Sequence, residues 1–228
     1  MIVKEKEHMK RITIEKDMLK NNNDIAEKNR KFLKEKNIFT INLLGSPGAG
    51  KTSILEKIID NIKVSYNIAV IEGDLYTTKD AMRIEKHNID VLQVNTGGAC
   101  HLDASMIEKS LDYINTDKLD FLVIENIGNL VCPALYDLSE DIKVLVMSVT
   151  EGNDKPLKYP SMFQRSSVVI LNKIDMIELT DFNKEEFYND IYSINRNIKV
   201  FETSCRNSYG IKELIDYIIN QIESKKIL

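Results

Sequence analysis

Three short segments carry residue types at spacings that can do chemistry. The first, Gly45-Ser46-Pro47-Gly48-Ala49-Gly50-Lys51-Thr52, fits the phosphate-loop pattern Gly-x-x-x-x-Gly-Lys-Ser/Thr, with Ser53 directly behind it. Glycines at 45, 48 and 50 let backbone N–H groups approach phosphate oxygens without a Cβ in the way. Lys51 is expected to reach the β- and γ-phosphates, and the Thr52 hydroxyl to ligate Mg2+. A glycine-rich turn with a chance Lys-Thr is the bland alternative. An apolar run before the loop and a helical pattern behind it supply the context the motif requires.

The second segment is Asn172-Lys173-Ile174-Asp175, behind the apolar run 168–171. The Asp175 carboxylate can accept both N–H donors on the Watson–Crick edge of guanine, an arrangement adenine lacks. Asn172 is expected to tie neighbouring loops together, and the Lys173 stem to cover the base. Thr203-Ser204-Cys205 follows the last strand candidate, placing Ser204 and Cys205 to offer backbone contacts to the other edge of the base. GTP or GDP, not ATP, is the expected ligand. Two acids join this site: Asp74 after one strand candidate and Glu125 after another, where ligands of open α/β sheets collect. Asp74 is read as a direct or water-bridged Mg2+ ligand and as the group that orients the attacking water. Glu125 is read as lying near the γ-phosphate. As bare sequence, both also read as solvated loop acids.

The third segment is Cys100-His101, with Cys132 downstream, in a chain of only three cysteines and three histidines. Thiolate plus imidazole suits Ni2+ or Zn2+ and not Mg2+. Three ligands leave such a site incomplete, and a symmetric dimer would double them. A cysteine beside a histidine is also what a buried residue next to a helix cap looks like, so spacing alone leaves this open.

The elements that must position these residues are read from periodicity. Strand candidates are 38–44, 68–71, 91–94, 121–124, 144–149, 168–171 and 200–203. Helical patterns cover 51–62, 79–87, 102–113, 182–192 and 211–222. Most strands are continuous apolar runs, as expected when both faces are covered. The expected class is therefore α/β: a mostly parallel sheet with helices on both faces. Residues 1–37 read as an N-terminal helical arm, one or two amphipathic helices with a break at Asn21-Asn22-Asn23, and 38–228 as a single domain. The arm is read as packed on the domain, with a partner-docking tail as the sharper alternative.

Composition narrows the function. With 228 residues, 43% hydrophobic and 29% charged, the chain has material for one core and a water-facing surface. A net charge of −4 gives no footprint for nucleic acid or an anionic membrane. No apolar run is long enough to span a bilayer, and residues 1–20 are too polar for a secretory signal, so a cytoplasmic protein is expected. An odd, scattered set of cysteines argues against a disulfide framework.

On these residues the chain resembles the HypB family, GTPases that accompany nickel insertion into NiFe hydrogenase. The matching stretches are 45–52, Glu72-Gly73-Asp74, 97–103, 125–133, 148–163 and 172–175. The resemblance implies a P-loop GTPase of the dimerising signal-recognition-like (SIMIBI) class. It implies nickel or zinc on Cys100, His101 and Cys132 at a homodimer interface. It also places Lys155 and Lys158 near the nucleotide, reaching across that interface; as bare sequence they are ordinary surface lysines. The small metallochaperone HypA is the implied partner, with the hydrogenase large subunit served indirectly. The chain departs from the family in one respect. It has neither an N-terminal Cys-x-x-Cys-Gly-Cys motif nor a histidine-rich run, and His8 stands alone before His87. A separate N-terminal nickel site and nickel storage are therefore not expected.

Two other functions compete with this one. The urease nickel GTPases carry Cys-Pro-His where this chain has Cys100-His101-Leu102. A non-catalytic metal carrier stabilised by nucleotide sits poorly with the intact Lys51 and Thr52. Slow intrinsic hydrolysis is expected, since no arginine finger is evident.

Overall fold

The computed structural model describes residues 14–74 and 79–227; His8 and Ile12 of the arm lie outside them. In chain order the elements are α1 (Ile14–Glu35), β1 (Phe39–Gly45), α2 (Lys51–Ile62), β2 (Ile68–Asp74), α3 (Lys79–Glu85), β3 (Asp90–Asn95), α4 (Ala104–Leu111), β4 (Phe121–Glu125), α5 (Cys132–Leu135), β5 (Ile142–Ser148), α6 (Lys155–Lys158), α7 (Pro160–Arg165), β6 (Val168–Asn172), α8 (Lys184–Ile194), β7 (Lys199–Glu202) and α9 (Ile211–Ile227). All seven strands pair in parallel, in the order β3-β2-β4-β1-β5-β6-β7. Every strand therefore ends at the same edge of the sheet. That edge gathers the phosphate loop, Asp74, the Cys100 loop, Glu125, Asn172 and Thr203.

Side-chain alternation sorts each apolar run between two cores. Phe39, Ile41, Leu43, Val70, Val123, Val146 and Ile170 pack beneath α2, α3 and α9. On the other face, Leu145, Met147, Val169 and Leu171 pack under α5, α7 and α8. Ala69, Ile71, Leu122 and Ile124 pack there under α1 and α4. Helix α2 buries Ile54, Leu55, Ile58, Ile59 and Ile62 almost completely. Each such side chain stabilises by roughly 1.5–3 kcal/mol, enough to hold the first turn of α2 rigidly behind the phosphate loop.

The arm differs from expectation. Helix α1 runs through Asn21-Asn22-Asn23 without a break. Asparagine breaks helices by competing for its own backbone, but Asn22 is buried and spends its amide elsewhere. It donates to Asp137 O (2.9 Å) and accepts from Ala104 N (2.8 Å). Asn29 donates to Ala104 O (2.9 Å), and Arg30 binds both carboxylate oxygens of Asp137. The arm is thus fastened to the start of α4. That helix begins at Ala104, not at residue 102, because the Asp103 side chain caps it by accepting from Met106 N (2.9 Å). Similarly, α8 starts at Lys184 behind the cap Asn183, and the last strand is shifted to Lys199–Glu202. Helices α5, α6 and α7 have no counterpart in the sequence pattern: each is four to six residues long and carries a proline at its first or second position.

Candidate nucleotide and metal site

The phosphate loop joins β1 to α2 and closes on Gly50, whose φ of 103° is left-handed backbone. A Cβ there would collide with the Asn172 amide, so this glycine is required twice over. Gly50 offers no side-chain cap, and the first-turn N–H groups of α2 point at the position an anion would take. Lys51 Nζ folds back to Gly45 O at 3.4 Å.

Oxygen donors cluster beside it. Thr52 Oγ1 donates to Glu125 Oε1 at 2.8 Å, while Glu125 Oε2 is buried with no hydrogen-bond partner. Burial raises the Glu125 carboxyl to about 7, opposed by the Lys51 charge. Glu72, directly across the strand pair from Glu125, is likewise buried with Oε2 unpartnered. Burial first, then the charges of Glu125, Asp74 and Asp80, raise it to about 8. Asp74 ends β2, half-exposed. Orphaned carboxylate oxygens around a threonine hydroxyl form a hard donor set of the kind Mg2+ takes. The residues therefore fit a magnesium ion.

The guanine end is tied to the same loop. Asn172 Nδ2 donates to Ala49 O (3.1 Å), and its Oδ1 accepts from the Thr203 hydroxyl (3.3 Å). Lys173 Nζ donates to Gly48 O (2.7 Å), and the Ser204 hydroxyl donates to Asp175 Oδ1 (2.5 Å). Cys205 lies half-buried beside Asn172, and burial pushes its thiol up. Ser53 accepts from Arg83, which also grips Glu56. Lys155 opens α6 and Lys158 closes it, paired with Asp154. Neither is hydrogen-bonded to the phosphate loop among the described residues.

Cys100, His101 and Cys132 come together, with one donor atom from each lying within 4.8 Å of the others. Cys100 Sγ is 3.7 Å from His101 Nδ1. The neighbouring Cys132 thiol, ahead of burial, raises the Cys100 thiol. Burial lowers His101 against the opposing charge of Asp103, which favours the neutral imidazole that can ligate. The ring stacks on Tyr136, with centroids 3.8 Å apart, which fixes its plane.

One segment, 125–132, joins the two sites. It starts at Glu125, bonded to Thr52, and ends at Cys132. Within it, Asn126 is buried, and its Oδ1 accepts from Leu102 N (3.3 Å) and Ile127 N (3.0 Å). Its Nδ2 donates to Asn42 on β1 (3.2 Å). Gly128 lies so close to the phosphate loop that a Cβ would come 2.8 Å from Pro47. Asn129 bridges to Gly45 and donates to Cys100 O (3.4 Å). Glu72, Asn126 and Asn129 fall in the stretches that carry the resemblance but have no role assigned from sequence, and Arg83 and Tyr136 are not singled out there at all. Only Glu72 left a usable signal, a charge at the end of the apolar run 68–71.

Comparison with known proteins identifies the relatives of this chain. Residues 39–202 match the family described as CobW/HypB/UreG, nucleotide-binding domain. The hydrogenase maturation factor HypB of Rhizobium leguminosarum is 42% identical over 201 residues, covering 88% of this chain and 67% of that one. The probable hydrogenase maturation factor HypB of Methanocaldococcus jannaschii is 38% identical over 215 residues, covering 94% and 97%. A crystal structure of HypB from Helicobacter pylori in complex with nickel superposes with a TM-score of 0.85 at 35% identity, covering 90% of this chain and 96% of that one. The signal recognition particle receptor FtsY of Elizabethkingia anophelis shares the fold alone, with a TM-score of 0.55 at 14% identity over 86% of this chain and 71% of that one.

Proposed function

The chain belongs to the HypB family of P-loop GTPases, and from that premise we propose that it is a GTP-hydrolysing metallochaperone that delivers nickel during hydrogenase maturation. The observation that carries the reading is the 125–132 segment, because it ties Thr52 at the nucleotide to Cys132 at the metal cluster.

In this reading residues 1–37 are an arm laid on a GTPase domain of residues 38–228. Backbone N–H groups of 48–52 and the Lys51 ammonium bind the β- and γ-phosphates of GTP, and Asp175 reads the guanine edge. Thr52, Asp74 and Glu125 hold Mg2+, which supplies charge neutralisation at the phosphates. Asp74 orients water toward the γ-phosphorus, giving GDP and phosphate. Preorganised charge supplies most of the rate. GTP closes a homodimer, bringing Lys155 and Lys158 toward the partner's nucleotide. Two copies of Cys100, His101 and Cys132 then complete a nickel or zinc shell that three donors leave open. Hydrolysis opens the dimer and releases the metal toward the hydrogenase large subunit, with a HypA-like metallochaperone as the other partner. A cytoplasmic setting fits reduced thiols, and among the described residues no helix is long and apolar enough to cross a membrane.

Phosphate release from GTP and ATP, with and without nickel, tests the reading. Release from GTP alone, lost in Lys51→Ala and altered by nickel, is expected. Release equal from ATP contradicts the guanine assignment. No release above the Lys51→Ala background favours the non-catalytic carrier.

A further inference from the structure

Strand β2 is apolar and buried from Ile68 to Ile71, yet its next residue is a glutamate that is 3% exposed. Glu72 Oε2 has no hydrogen-bond partner, and among the described residues no salt bridge reaches it, although the Lys51 charge acts on it. Natural interiors rarely leave a carboxylate in this state, because an unpaired buried acid costs far more than a surface one. Its direction follows from the strand. Glu72 shares the parity of Ile68 and Val70, which pack beneath α2. Glu125, its register partner on β4, shares the parity of Phe121 and Val123 and points to the same side. One Glu125 oxygen is taken by the Thr52 hydroxyl and the other is orphaned. Two unpartnered, buried carboxylate oxygens thus flank the first turn of α2 on adjacent strands.

We propose that Glu72 is a positioning residue for the magnesium ion, its carboxylate accepting hydrogen bonds from water molecules in the ion's shell and so fixing the ion against Thr52. Mg2+ keeps most of its waters, and those waters need acceptors. Thr52, Asp74 and Glu125 are the donors already assigned to the ion; Glu72 shares β2 with Asp74, lies one strand from Glu125, and meets the ion through water. This rests on the reading that the phosphate loop holds a magnesium–nucleotide complex. It adds a residue outside the phosphate loop and outside the acids assigned to the ion.

The test is a Mg2+ titration of a fluorescent GDP analogue bound to the full chain, run on wild type, Glu72→Gln and Glu72→Asp, with binding in EDTA measured alongside. Loss of an outer-shell partner weakens metal binding by about tenfold. Glu72→Gln is expected to raise the magnesium midpoint by that factor, leaving analogue affinity in EDTA unchanged. Glu72→Asp is expected to fall between it and wild type. A midpoint within about twofold of wild type overturns the role of Glu72. So does an equal loss of affinity with and without the ion, which would mark a purely structural acid. If Glu72→Gln does not fold, an unshifted Glu72→Asp overturns the role equally. A wild-type chain whose binding ignores Mg2+ overturns the magnesium–nucleotide reading itself, and the role of Glu72 with it.

Discussion

Replacing Asn126 with alanine tests whether the metal loop is held from the nucleotide side. The carboxamide makes three hydrogen bonds in a site 1% exposed: from Leu102 N, from Ile127 N, and to Asn42 Oδ1. Truncation orphans two backbone N–H groups and one amide oxygen. Each costs about 1–3 kcal/mol when it stays dry, and the space left by the carboxamide is near the size that admits one water. With one of the three rescued by water, the net loss is about 3 kcal/mol. At roughly 2–4 °C per kcal/mol for a chain of this size, the melting temperature falls by about 6–12 °C. Leu102 directly follows His101, so the ligand loop also loses its anchor and zinc affinity falls by about tenfold. Scanning calorimetry and competition against a chromogenic zinc chelator read the two effects. A melting temperature within about 2 °C of wild type would refute the hydrogen-bond accounting. Full destabilisation with unchanged zinc affinity would refute the link to His101.

Other consequences follow from the same geometry. Cys132→Ala leaves two donors of the three, and zinc affinity is expected to drop at least about 100-fold with nucleotide affinity unchanged; chelator competition and GDP titration separate the two. Asp175→Asn removes the charged acceptor for guanine, so GTP affinity should fall by about 100-fold, on the order of two charged hydrogen bonds, with phosphate-loop contacts intact; isothermal titration reads it. The Cys100 thiol sits above its ordinary value, raised by Cys132 and then by burial. A thiol must lose its proton to bind metal, so apparent zinc affinity should rise steadily from about pH 6 to 8, with protons released on binding. A flat profile would exclude thiolate ligation.

The parts of the fold that are local in cause were legible in the sequence. The phosphate loop announces itself through glycines 45, 48 and 50, and helix α2 through its spaced isoleucines. The seven strands are visible as apolar runs. Those runs hide which residue faces which core, because both faces are apolar; only the packed helices decide it. Asn22 reads as a helix breaker until Asp137 and Ala104 are there to take its amide. Asp103 as a cap, and hence the true start of α4, was masked by the apolar Leu102 before it. At the site, Cys100, His101 and Cys132 were recognisable as ligand types, but their meeting depends on the turn through 126–131. That turn is held by Asn126 and Asn129, two residues whose type carries no functional signal.

The claim that nucleotide and metal act together through a symmetric dimer is tested most directly by mass in solution. Light scattering would be run on the chain alone, with GDP, with a non-hydrolysable GTP analogue, and with the analogue plus nickel. The expected result is one subunit alone or with GDP, and a doubled mass with the analogue plus nickel that is lost in Cys100→Ala. A single-subunit mass in every condition, or a dimer indifferent to both nucleotide and Cys100, would contradict it.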